Sequence, residues 1–166
     1  MIKKYSVIFI FILGGIFLGT MVGGSQINKL LSTELPSKDV MKDKLIGKIR
    51  VGDKELNVEI VKDQASLKKG LSARDEIGSD GMLFILDGEQ KIAFWMKDMR
   101  FSLDMIWIKD GKVIEISRDV PIPEGEDNKM LTLYSPKDAV DQVLEVNSGD
   151  SDKFNITVGD EVTLVE

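Results

Sequence analysis

"LDMIWIKDGKVIEISRDV", residues 103–120, decides the fold of this chain. Two apolar runs of strand length flank Asp110-Gly111, a dipeptide that favours positive φ at both centres of a tight two-residue turn, so the segment reads as a β-hairpin. In its first strand Leu103, Met105 and Trp107 face one side and Asp104, Ile106 and Ile108 the other. Asp104 thus shares a face with two isoleucines. A carboxylate there requires a cation, several N–H donors or a raised pKa.

Working outward, the same period of two recurs. "KLIGKIRV" (44–51) and "KELNVEIVK" (54–62) flank Gly52-Asp53 as a second hairpin. Asp63 is placed as the N-cap of a short helix, "QASLKKG", closed by Gly70. "GMLFIL" (81–86) is a continuous apolar run, fitting a strand covered on both faces. "KIAFWMK" (91–97) is expected to lie beside residues 103–108, with "DMRFS" connecting the two. Residues 121–138 hold three of the four prolines and form the longest irregular loop. "VDQVLEV" (140–146) and "DEVTLVE" (160–166) complete the set. Seven or eight short strands and one short helix predict a mainly β, compact sandwich or barrel-like domain over residues 44–166.

Composition removes several chemistries. The 166 residues include no Cys and no His. Disulfides, thiolate zinc sites and every Ser-His or Cys-His nucleophile are therefore excluded. No cofactor motif is present, and any metal site is expected to be all oxygen, suiting calcium, magnesium or manganese. Lys3 and Lys4 are the only charges before residue 29, which leaves 20 basic against 28 acidic residues, a balance of −8. That sign opposes nonspecific nucleic-acid binding.

Residues 1–24, "MIKKYSVIFIFILGGIFLGTMVGG", carry a basic start and an uncharged run of eighteen residues from Tyr5 to Val22. As a helix this is roughly 27 Å long, close to one membrane crossing. An uncleaved anchor is expected, with secretion after signal cleavage at "VGGS" as the alternative. Lys3 and Lys4 keep the N-terminus cytoplasmic and put the domain outside. Gly15, Gly19 and Gly23 recur at intervals of four, a common pattern in such segments. Residues 25–43 read as a linker.

"GLSARD" (70–75), "GMLF" (81–84), "FWMKD" (94–98), "LDMIWI" (103–108), "VLEV" (143–146) and "VGD" (158–160) occur in this order. Together they resemble family 192 of the domains of unknown function, over roughly residues 45–166. The resemblance implies an exported, sandwich-like β domain without an established activity. This chain departs from the family pattern at Asp98 and Met99, where Asn and Thr are usual, and at Ser102, where Pro is usual. It also lacks the cysteines that many members carry in the loop after residue 120.

Within the domain, Asp104 is expected to pair with Lys97, Arg100 or Arg74 at the hairpin's end. Arg74, Trp95, Lys97 and Asp104 are the candidate ligand-binding residues, since an aromatic face beside fixed charges suits a small polar ligand. The same ion pairs would equally serve as a structural brace. A hydrolase is the second hypothesis and needs another carboxylate, Asp98 or Asp75, near Asp104. The third is an envelope domain presenting a sheet edge or loop to a protein partner. The acidic run Glu124, Glu126, Asp127, Asn128 lacks an EF-hand's alternation and reads as a solvated loop. "NIT" (155–157) is a glycosylation sequon only in a host that modifies exported Asn-X-Thr sites. Met96, Met99 and Met105 read as core filling.

Overall fold

The computed structural model describes residues 45–123 and 131–165. The expected anchor, the linker and the acidic run 124–128 lie outside the described residues. Among the described residues no helix is long and apolar enough to cross a membrane.

The hairpin of residues 103–120 forms as β5 (Leu103–Lys109) and β6 (Lys112–Val120). Asp110 (φ 50°) and Gly111 (φ 68°) supply the two positive φ angles its turn requires. The first hairpin also forms, as β1 (Leu45–Val51) and β2 (Lys54–Val61). Asp63 caps α1 (Gln64–Lys69) by accepting from the N–H groups of Ala65 and Ser66, and the Gly70 N–H closes the helix on the Ser66 carbonyl.

That short helix carries the chain across to β3 (Gly81–Gln90), which pairs parallel to β2. Parallel neighbours cannot be joined by a tight turn, and α1 with its following loop supplies the crossover. β8 (Val140–Asn147) then inserts between β3 and β5, antiparallel to both. With β9 (Val162–Val165) on the far edge, the order of the seven-stranded sheet is β6-β5-β8-β3-β2-β1-β9.

Two expectations are corrected here. Residues 91–97 do not lie beside β5. Only β4 (Phe94–Trp95) is strand, and it pairs with β7 (Leu133–Tyr134) in a separate two-stranded sheet. β5 is already bracketed by β6 and β8, so neither edge is open to another strand. The sandwich or barrel also resolves differently. The large sheet is not a closed barrel, and its companion sheet has two strands. Its edges meet at one corner, through a Lys112–Glu161 bridge and the N–H of Val113 donating to Asp160 O at 2.9 Å. Among the described residues there are two short helices rather than one. The second, α2 (Asp150–Lys153), spans four residues, too few to leave a periodic signature.

Both faces of the sheet are dry along the central strands β3, β8 and β5, while the outer face of β1 and β9 is exposed. On one, Ile49, Val58, Ile106, Ile108, Leu144 and Ile156 form a core enclosed by the curl of the sheet. On the other, Met82, Phe84, Met105, Trp107 and Val143 pack beneath a layer of connecting segments that includes Leu71, Ile77 and Met96. β3 is buried on both faces over Gly81–Phe84, as its unbroken apolar run predicts.

Candidate functional site

Asp104 is dry as expected, at 1% exposure, but no cation among the described residues holds it. Oδ1 accepts from the Asp119 N–H at 2.9 Å. Oδ2 accepts from the N–H groups of Gly149 and Ser151, both at 3.1 Å, and from the Ser151 hydroxyl at 2.6 Å. The donors come from local irregularities. Gly149 is the N-cap of α2 and has no side chain to cap with, so Asp104 does this from the neighbouring strand β5. A bulge in β6 places two residues opposite Asp104, and Asp119, at φ 52°, turns its N–H inward.

The basic residues expected at Asp104 go elsewhere. Arg74 makes a bidentate pair with Glu59 on β2, at 2.7 and 2.9 Å. β2 is three positions from β5 in the sheet, roughly 14 Å away. Arg100 pairs with Asp75, one of the two carboxylates considered as a partner for Asp104. Lys97, half-buried, approaches the exposed Asp98 at 3.9 Å. Three candidates do share one layer. The Ser72 hydroxyl donates to Lys97 O at 2.9 Å, and the Ala73 N–H donates to Asp98 O at 2.9 Å. The Arg74 loop is therefore clasped to the segment bearing Trp95 and Lys97. Trp95 is 50% exposed and lies opposite Leu133, itself 61% exposed, on the small sheet. Asp104 points to the other face of the large sheet, with Ile106 and Ile108.

The group that fits a site best is one the sequence reading passed over. Glu145 lies on β8 beneath the loop layer and is only 5% exposed. In register it sits between Met82 on β3 and Met105 on β5, both on the same face and both buried. One strand further along the same row, Glu59 lies beside Met82 and holds Arg74. Burial alone pushes the Glu145 acid up to about 8 from an ordinary 4.5, with no opposing contribution from a hydrogen bond or a nearby cation. Arg74, by contrast, has its pKa raised, chiefly by the hydrogen bond to Glu59.

Among the described residues Asp141 Oδ1 is the one fully enclosed side-chain atom left without a hydrogen-bond partner. Glu145, at 5% exposure, is nearly but not wholly enclosed. A neutral acid in a nearly dry niche can donate a hydrogen bond, and as an anion it can hold a cation. The signal for Glu145 was legible: an acid between Leu144 and Val146 in a strand buried on both faces. Glu59, between Val58 and Ile60, carries the same mark.

The sequence profile of DUF192, described as an uncharacterised ACR family, matches residues 47–164. No curated protein matches the chain. Two solved structures resemble it. A chain from Sinorhizobium meliloti 1021, described as a candidate transcription regulator, is 26% identical with a TM-score of 0.65, covering 74% of this chain and 95% of its own. A protein of unknown function from Novosphingobium aromaticivorans DSM 12444 is 26% identical with a TM-score of 0.62, covering 71% of this chain and 84% of its own.

Proposed function

Because the chain belongs to DUF192, a family without an assigned activity, its role has to be argued from its own residues, and we propose that it is a small-ligand binding module. The reading includes a setting: the domain is tethered to a membrane by residues 1–24 and works outside the cytoplasm as part of the cell envelope. Lys3, Lys4 and the uncharged run after them support that setting.

One observation carries the binding reading. Among the described residues Glu145 is a nearly buried carboxylic acid with neither a cation nor a hydrogen-bond donor of its own. Groups of this kind destabilise a fold and are retained where they meet something from outside. Arg74 and Glu59 lie along the same row as a fixed, mutually neutralised pair, and the Lys97 segment is tied down over the same layer. Asp104 belongs to the scaffold, because all of its contacts are internal donors.

The test is ligand-dependent thermal stabilisation of the full-length protein and of Glu145→Gln. The panel holds primary and quaternary amines, sugars, short peptides and metal cations. A compound that binds the folded state raises Tm in proportion to the logarithm of its concentration above Kd. At least one class is expected to stabilise the parent and to lose that effect in Glu145→Gln. Equal stabilisation of both proteins by every active compound, or no active compound at all, defeats the reading.

A further inference from the structure

Glu145 does not face a generic apolar wall. Direct cross-strand neighbours on one face have Cβ atoms about 4.5–5.5 Å apart, so Met82 and Met105 stand immediately on either side of it. A third methionine comes from above. The Phe94 ring packs edge-on against Phe84 at 5.1 Å and against Trp107 at 5.7 Å, the two residues that flank Val143. The chain then runs on to Leu103, which pairs with Asn147. Glu145 lies between Val143 and Asn147 on β8, so this segment starts and ends two residues to either side of it. With exposed Trp95 turned outward, buried Met96 turns inward into the same cluster as Met82 and Met105. Met82, Glu145 and Met105 thus stand in one row, and Met96 belongs to the apolar layer packed on that same face.

Resting on the binding reading above, we propose that Met82, Met96, Met105 and Glu145 form a site for a soft monovalent metal ion, Cu(I) in its natural setting. The chemistry selects this class. Thioether sulfur is a soft donor that favours Cu(I) and is a poor ligand for calcium or magnesium, which take six or more oxygens. Among the described residues no group of three or more His, Cys, Asp or Glu side chains could hold a metal, so a hard ion has no such site. One positive charge against one carboxylate leaves the dry niche neutral, whereas a divalent ion would leave it charged. An organic ammonium offers several N–H donors to a niche with a single good acceptor. Packing alone accounts for buried methionines. It does not account for an unpartnered acid placed among three of them. The expectation that any metal site here would be all oxygen left thioether sulfur out.

The test titrates the full-length protein with Ag(I), which shares the coordination preferences of Cu(I) without its redox chemistry, in chloride-free buffer. Methionine methyl NMR is the readout, and Cu(I) is competed anaerobically against a chromogenic chelator. One ion per chain is expected, with the methyl signals of Met82, Met96 and Met105 shifting together while Met99 stays in place. Met82→Leu, Met96→Leu and Met105→Leu conserve volume and keep the fold. Each is expected to weaken binding about tenfold or more, as is Glu145→Gln, whereas Met99→Leu binds like the parent. Binding at other methionines, or parent-like affinity in the three Leu variants or in Glu145→Gln, overturns the metal site. If silver fails in this way while an amine or sugar still stabilises the parent but not Glu145→Gln, only the metal assignment falls. If neither acts through Glu145, the binding reading falls with it.

Discussion

Glu145 and Asp104 are both buried acids on strands of one sheet, and their surroundings give them opposite characters. Four donors, three of them backbone N–H groups, hold the Asp104 carboxylate. Glu145 has none among the described residues, and desolvation pushes its acid up to about 8. The unfolded chain releases that proton in the ordinary carboxylate range, while the folded protein retains it to about pH 8. At this group the native state thus binds more protons between these limits, and the Glu145 contribution to stability falls as pH rises from about 4.5 to about 8. Glu145→Gln keeps the shape without the charge. Urea unfolding of the metal-free protein should show parent and variant equal near pH 4. The variant should then become more stable by up to about 5 kcal/mol at pH 8 and above. Parallel pH profiles would show that the acid is not held neutral.

Among the elements, α2 and the β6 bulge are the ones a single residue ties together. α2 is four residues long and starts on a glycine, so it has little capacity to form by itself. Its first N–H groups are satisfied by Asp104 from β5, and the bulge delivers a further donor from Asp119. The Ser148 hydroxyl donates to the Asp119 carboxylate and links the two irregular pieces directly. Asp104→Asn puts an amide N–H₂ among these donors and removes the charge that strengthens every bond. A loss of about 2–4 kcal/mol is expected from denaturant unfolding, with faster amide exchange at Gly149 and Ser151. Ligand binding at Glu145, on the opposite face of the sheet, should be unchanged in the same variant. α1 contrasts with α2: its cap is local, Asp63 to Ala65 and Ser66, and for that reason it could be placed from sequence.

At the scale of the whole molecule, the sheet is clad on one face by its own curl and on the other by loops that clasp one another. The proposed setting of the domain can be tested directly because the chain has no cysteine. Val158 is 62% exposed in the turn before β9, so Val158→Cys supplies a single accessible thiol. In intact cells a membrane-impermeant maleimide should label this variant, and the labelled protein should sediment with membranes until detergent is added. Labelling only after lysis would place the domain on the cytoplasmic side.

Local physics was readable in the residues themselves. Asp110-Gly111 specified a hairpin because its backbone preferences match that turn. Asp63 and Gly70 specified the limits of a helix, and alternation placed Asp104 on the side of Ile106 and Ile108. Family membership followed from six ordered motifs and agrees with the profile match over residues 47–164. What the residues could not reveal was who stands beside whom across the sheet. The insertion of β8 between β3 and β5, the parallel pairing of β2 with β3, and the removal of residues 91–97 to a small separate sheet all depend on contacts distant in sequence. Those contacts gave Asp104 N–H donors instead of the expected cations and surrounded Glu145 with methionines. A carboxylate's partners are set by three-dimensional neighbours within a few ångströms, and no spacing along the chain encodes that distance.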